Sequence, residues 1–162
     1  MNRIAVDVDE VLVPFLFPMA KWRGLSMPRK EKYPYLYRDI FSIPEEESQK
    51  MVRAFYSSQA FKNLKPIPGA RKKLTLLRER TDKIYVVTGR QDIARETTEW
   101  WLDKYFPDIF DDLILTNSFT PFEIKKVDAS IGEVLVASSV AGIERGLVVI
   151  NPEEGGWVDP DQ

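Results

Sequence analysis

The sequence predicts an α/β protein, a doubly wound and Rossmann-like parallel sheet with a small helical cap inserted after its first strand. Three observations predict it. Short apolar runs rich in β-branched residues recur along the chain, and helical patterns lie between them. One long stretch of proline, aromatics and charge breaks the alternation near the amino terminus.

The first run, residues 3–8, ends in acidic residues, and its β-branched content favours a buried strand. Further runs follow at 83–88, ending at Gly89, and at 112–116, 133–136 and 146–150. Strands of this kind imply a sheet covered on both faces. Between them, residues 70–80 place Leu74 and Leu77 at helical spacing, and residues 92–106 carry Ile93, Trp100, Trp101 and Tyr105 among charges. Pro68-Gly69 opens the first of these helices and Pro107 stops the second. Such alternation predicts parallel strands joined by right-handed crossovers. Sheets of that kind bind ligands at the carboxyl ends of their strands, which is where Asp7, Asp9, Thr88 and Thr116 fall.

The expected organisation is therefore a core of residues 1–13 and 67–150, a cap of residues 14–66 and a loosely held tail of residues 151–162. Inside the insertion, Ser42-Ile43-Pro44-Glu45 has the pattern of a capping box. A helix over residues 44–56 would follow, with Met51, Val52 and Phe55 on one side.

The chain has 162 residues, 44% of them hydrophobic and 30% charged, which suits one folded domain and excludes a largely disordered one. A formal net charge of -2 gives no broad attraction to nucleic acid or an anionic membrane, so no stable nucleic-acid complex is expected. Histidine and cysteine are both absent. That excludes disulfides, thiolate nucleophiles, zinc sites built on those ligands and every histidine-based triad. The chemistry is left to carboxylates, hydroxyls, lysines, arginines or a hard metal ion. No run reaches the ~18 apolar residues of a membrane span, and charges interrupt the start of the chain, so the expected location is cytoplasmic.

Asp7-Val8-Asp9-Glu10-Val11 follows directly on the first strand. Two aspartates so spaced at a strand end can face one crevice. One carboxylate would attack phosphorus while the other protonates the leaving oxygen and then activates water. Standing alone, an Asp-x-Asp is more often a solvated turn. Val86-Val87-Thr88-Gly89-Arg90 brings a hydroxyl and a glycine-exposed amide to the end of the next strand, donors suited to a phosphoryl oxygen. Arg90 would add a bidentate phosphate contact or cover a helix start. Of the pair Lys125-Lys126, one ammonium would neutralise phosphoryl charge while the other stays solvated.

In order and spacing these elements resemble the first three motifs of the haloacid dehalogenase-like phosphohydrolase superfamily. Phe61-Lys62-Asn63-Leu64-Lys65-Pro66-Ile67-Pro68-Gly69-Ala70 resembles the segment leading from cap to core in its 5'-nucleotidase branch, which contains the 5'(3')-deoxyribonucleotidases. The likeness covers residues 3–150. It implies a phosphomonoester hydrolase acting on a small nucleotide with Mg2+. By the same likeness Asp7 is the nucleophile, forming an aspartyl-phosphate, and a metal ligand. Asp9 is the general acid and base and gives its backbone carbonyl to the metal. Thr88 is the second-motif hydroxyl, and Gly89 supplies an amide near the phosphate. Lys125, or else Lys126, is the third-motif lysine, and the insertion closes over the substrate.

The chain departs from the family at the fourth motif, where Ala137-Ser138-Ser139 replaces the usual acids that help hold magnesium. The departure keeps a second reading open, a catalytically impaired member serving as a nucleotide- or phosphate-binding regulatory module. A phosphatase for a non-nucleotide metabolite is a third, since one core serves many substrates. The insertion is aromatic, with Phe15, Phe17, Trp22, Tyr33, Tyr35, Tyr37 and Phe41. Most of these are expected to pack its own small core. Phe15 and Phe17, which directly follow the catalytic loop, are expected to face substrate, where an aromatic ring stacks on a base. Lys21, Arg23, Arg29, Lys30 and Lys32 are read as solvated, and the sequence leaves a homodimer open.

Overall fold

The computed structural model describes residues 3–27, 30 and 33–124, and the backbone of 135–137, 149–151 and 156–158. In chain order the elements are β1 (Arg3–Val6), α1 (Leu16–Arg23), α2 (Tyr37–Phe41), α3 (Glu45–Tyr56), α4 (Gln59–Lys62), α5 (Ala70–Arg78), β2 (Lys83–Thr88), a 3-10 turn (Asp92–Ala94), α6 (Arg95–Tyr105), β3 (Asp112–Leu115), β4 (Leu135–Ala137), β5 (Val149–Asn151) and β6 (Gly156–Val158). The chain divides into two compact units. One comprises Met1–Pro14 with Lys65–Gln162, and the other is Phe15–Leu64.

The first unit is built on a parallel sheet of order β3-β2-β1-β4. The register pairs Val6 with Val86 on one side and with Ala137 on the other. Ile4, Ala5, Val6, Ile84, Val86 and Val87 are buried, as expected of strands covered on both faces. The chain steps from β1 to β2 to β3 in one direction and then returns to place β4 on the far side of β1. The carboxyl end of β1 is thus the point at which the strand order reverses, the usual position of a ligand site in such sheets.

Helix α5 starts at Gly69, whose φ of 86° is a left-handed value that glycine adopts without penalty. Helix α6 buries Thr98, Trp101 and Leu102, which share one face at i, i+3 and i+4. Ile93 and Trp100, read from the sequence as part of the same apolar pattern, are exposed. Asp111 ties the unit together below β2 and β3. Its carboxylate accepts the backbone N–H of Ile84 at 2.8 Å, bonds Arg78 of α5 and meets Lys83 Nζ at 3.1 Å. Burial pushes this carboxyl up, but the Ile84 amide, with the Arg78 and Lys83 charges, outweighs it and holds the group below the usual aspartate value.

The run at 146–150 was expected to join the parallel sheet. Instead β5 pairs antiparallel with β6 in a separate two-stranded ribbon, which also gives part of the tail regular structure. Antiparallel neighbours need only a short connection, whereas a parallel partner requires a crossover.

The second unit is held by rings. Phe15 is 1% exposed. Its centroid lies 5.2 Å from Phe55, 6.0 Å from Tyr37 and Tyr56, and 6.3 Å from Phe61. Aromatic pairs at these separations add directional attraction to the apolar burial. The expectation that Phe15 faces substrate is corrected, because its ring is the hub of this core. The expected capping box is also absent. Ser42 ends α2 at a φ of 53°, and α3 begins after Pro44 with no side-chain cap. Glu45, Glu46 and Glu47 in the first turn of α3 offset its exposed amide charge instead. Among the described residues no helix is long and apolar enough to cross a membrane.

Candidate active site

Three strand ends of the first unit supply the site. Beyond β1 the chain folds into a tight turn in which Leu12 N–H donates to the Val8 carbonyl at 2.8 Å and Glu10 N–H donates to the Val13 carbonyl at 2.8 Å. Glu10 takes a φ of 62° to make this turn. Val8, Leu12 and Val13 are buried beneath it, so the turn is anchored by apolar packing while Asp7 and Asp9 remain partly exposed. Asp7 Oδ1 accepts the N–H of Val8 at 2.8 Å, which fixes the side chain near the backbone that carries it.

At the end of β2, Thr88 is fully buried and its Oγ1 accepts the N–H of Arg90 at 3.3 Å. That bond uses an acceptor lone pair of the hydroxyl and not its hydrogen. The Thr88 carbonyl accepts the Thr116 N–H at 2.8 Å, and the Gly89 carbonyl accepts the Ser118 N–H at 3.0 Å. Asn117 N–H reaches the Arg90 carbonyl at 3.3 Å, and Asn117 Oδ1 accepts the N–H of Asp92 at 2.8 Å. The loops after β2 and β3 are therefore stitched into one rim.

Arg90 differs from both roles the sequence suggested. It is 2% exposed, and its guanidinium grips the Asp9 carboxylate: Nη2 donates to Oδ1 at 2.7 Å, and Nε donates to Oδ1 and Oδ2 at 3.2 and 3.1 Å. Nη1 donates to Thr98 Oγ1 at 2.8 Å. The fork that would suit a phosphate is matched instead to a carboxylate of the same chain, an equally good partner for its geometry. Thr98 was not singled out from the sequence. The signal was there in a hydroxyl residue on the otherwise apolar stripe it shares with Trp101 and Leu102.

The structure brings Asp7, Asp9, Gly89 and Arg90 to the ends of adjacent strands, with Thr88 packed beneath them. Phe17, in the other unit, keeps 45% of its surface exposed and meets Tyr33 edge-on at 5.7 Å. Lys125 and Lys126 lie outside the described residues. Among the described residues no three acidic side chains converge as a metal cluster. Strand β4, paired with β1, is Leu135-Val136-Ala137 and carries no acid.

Over residues 2–121 the sequence matches the model of a family described as 5' nucleotidase, deoxy (pyrimidine), cytosolic type C protein. Among solved structures, the chain is similar to SP0104, a haloacid dehalogenase-like family hydrolase from Streptococcus pneumoniae. The two share 13% identity at a TM-score of 0.59, over 86% of this chain and 76% of that one. It is also similar to a HAD-superfamily hydrolase, subfamily IA, variant 1, from Geobacter sulfurreducens. Here the identity is 19% and the TM-score 0.46, over 88% of this chain and 81% of that one. The first of these shares the fold of this chain. Comparison with curated proteins gave no match.

Proposed function

The chain belongs to the 5' nucleotidase, deoxy (pyrimidine), cytosolic type C family, and from that premise we propose that it hydrolyses the phosphomonoester of a small nucleotide, with Asp7 as nucleophile. The observation that carries the reading is the placement of Asp7 and Asp9 in one turn at the carboxyl end of β1, where the strand order reverses. Asp7 attacks phosphorus and becomes an aspartyl-phosphate while the leaving oxygen takes the proton that Asp9 carries on Oδ2 in the substrate complex, with Oδ1 still bonded to Arg90. Asp9 then removes a proton from the water that attacks the acyl phosphate, and phosphate leaves with Asp7 restored. The backbone amide of Gly89, and an ammonium from Lys125 or Lys126, are assigned to the phosphoryl oxygens.

The donor set fits magnesium in a sparse form. Magnesium keeps several waters and takes one or two carboxylates together with substrate phosphate. The Asp7 carboxylate and the Asp9 carbonyl would hold it, since the Asp9 carboxylate is engaged by Arg90. When bound, the ion neutralises charge on the transferring phosphoryl group. The family's description supports a cytoplasmic setting.

The test is magnesium-dependent phosphate release from a panel of nucleoside monophosphates, led by deoxypyrimidine nucleotides because the family's description names them. Release is expected from the wild type and not from Asp7→Asn. A folded wild type that releases phosphate from no member of the panel sinks the reading.

The absence of an acid in β4 favours a second reading, a non-catalytic module that binds a nucleotide or phosphate. Calorimetry separates the two, since the module takes up nucleotide with no magnesium requirement and no turnover.

A further inference from the structure

Arg90 is a buried cation held from two sides. The Asp9 carboxylate takes three of its bonds on one side, and Thr98, fully buried on α6, accepts Nη1 at 2.8 Å on the other. A guanidinium taken out of water is tolerated only where its donors are matched, so its orientation is set by both partners at once. One end of this chain of contacts is a helix that carries no residue of the proposed chemistry, and the other is the carboxylate assigned to proton transfer.

We propose that Thr98 is a positioning residue for the hydrolysis: it fixes the Arg90 fork, and the fork fixes the plane of the Asp9 carboxylate. The catalytic assignment rests on the phosphohydrolase reading above, and the geometry does not. Two of the three bonds fall on Asp9 Oδ1 and one on Oδ2. Oδ2 therefore keeps the greater acceptor capacity and is the oxygen that exchanges a proton with the leaving group and with water. Reactions between held groups are steep functions of alignment, and an ångström of misplacement can cost about a hundredfold in rate.

The experiment compares Thr98→Val, which replaces the hydroxyl by a methyl of similar size, with Thr98→Ser, which keeps the acceptor. Steady-state phosphate release is measured for both, alongside the side-chain carboxyl carbon resonance of Asp9. Thr98→Val is expected to lower kcat by roughly 10- to 100-fold with KM unchanged and to move the Asp9 resonance. Thr98→Ser recovers most of the rate and returns the resonance. Should Thr98→Val fail to fold, Arg90→Lys keeps the charge but not the fork, and the same loss confined to kcat is expected of it. The proposal is overturned if a folded variant leaves the Asp9 resonance in place, or if its loss appears in KM alone. If the wild type releases no phosphate, the functional reading falls. The resonance then decides whether Thr98 orients Asp9.

Discussion

Ser118 donates its backbone N–H to the Gly89 carbonyl at 3.0 Å, and this bond presses the loop after β3 against the glycine that follows β2. A Cβ built on Gly89 would lie 2.9 Å from Ser118 Oγ and 3.4 Å from Ser118 Cβ. The second motif uses glycine here because the neighbouring loop occupies the space a side chain would take. Gly89→Ala is expected to cost about 1 kcal/mol in urea unfolding, less than a backbone clash because the serine oxygen can rotate away. In the Ser118→Ala background the cost shrinks, and a double-mutant cycle that finds strict additivity contradicts the contact.

The turn that carries both aspartates includes a left-handed residue. Glu10 sits at a φ of 62°, a left-handed conformation that costs a residue with a Cβ roughly 1–2 kcal/mol. Glu10→Gly and Glu10→Ala remove the same carboxylate, but only glycine removes the strain. Glycine is expected to be the more stable of the two by about 1 kcal/mol. The reverse order in thermal melts shows that the turn is not strained at this residue.

How much of this was legible in the sequence depends on the range of the interaction concerned. The strands at Ile4-Ala5-Val6 and Ile84 to Val87 were readable because burial on both faces demands a continuous apolar run, a local property. The aspartates beyond β1 were readable because they interrupt such a run. The pairing of Arg90 with Asp9 was not, since it joins residues 81 positions apart through a register that only the folded sheet sets. The capping box at Ser42 failed for a similar reason. The motif is local, but the residue had already been taken up in closing α2. Phe15 was misread because nearness in sequence to a catalytic loop carries no information about which way a ring points.

Phe15 and Phe17, both in the insertion, should separate cleanly. Phe15 is 1% exposed among the rings of Tyr37, Phe55, Tyr56 and Phe61, so Phe15→Ala opens a cavity and is expected to cost about 3–5 kcal/mol. Phe17, partly exposed and edge-on to Tyr33, should lose about 1 kcal/mol or less on the same change. If it stacks on the base, Phe17→Ala raises KM for nucleotides and leaves KM for an aryl phosphate unchanged. Equal destabilisation of both variants contradicts the assignment of Phe15 to the core.

Asp111 gives a pH dependence of stability. Its carboxyl is held below the usual value, against the effect of burial, by the Ile84 amide and by Arg78 and Lys83. The folded state therefore binds the proton less readily than the unfolded chain does. The stabilisation is fully present above the unfolded value of about 3.9 and is lost as pH falls through the lower folded value. Near neutrality Asp111→Asn is expected to cost about 2 kcal/mol through its charge-assisted hydrogen bonds. The gap to wild type should close below about pH 4, where the native carboxyl is also taking up its proton. A gap that stays constant from pH 7 to pH 3 contradicts the account.

Val6 pairs with Ala137, and the residue after Val6 is the proposed nucleophile, while the residue after Ala137 is Ser138. An acid introduced at that sequence position restores the charge that the family uses at its fourth motif. Without a metal, two carboxylates brought together repel one another. With magnesium the same pair becomes a better ligand set, because affinity for a hard cation rises with the number of anionic oxygens offered to it. Ser138→Asp is therefore expected to lower Tm slightly in chelator and to raise it on adding magnesium by more than the wild type gains, since an ion that binds only the folded state stabilises in proportion to its occupancy. The magnesium concentration for half-maximal phosphate release should fall by about tenfold, the equivalent of about 1.4 kcal/mol in binding. A variant whose melting responds to magnesium no more than the wild type would show that position 138 does not face the metal. The serine would then not be the reason for the sparse ligand set.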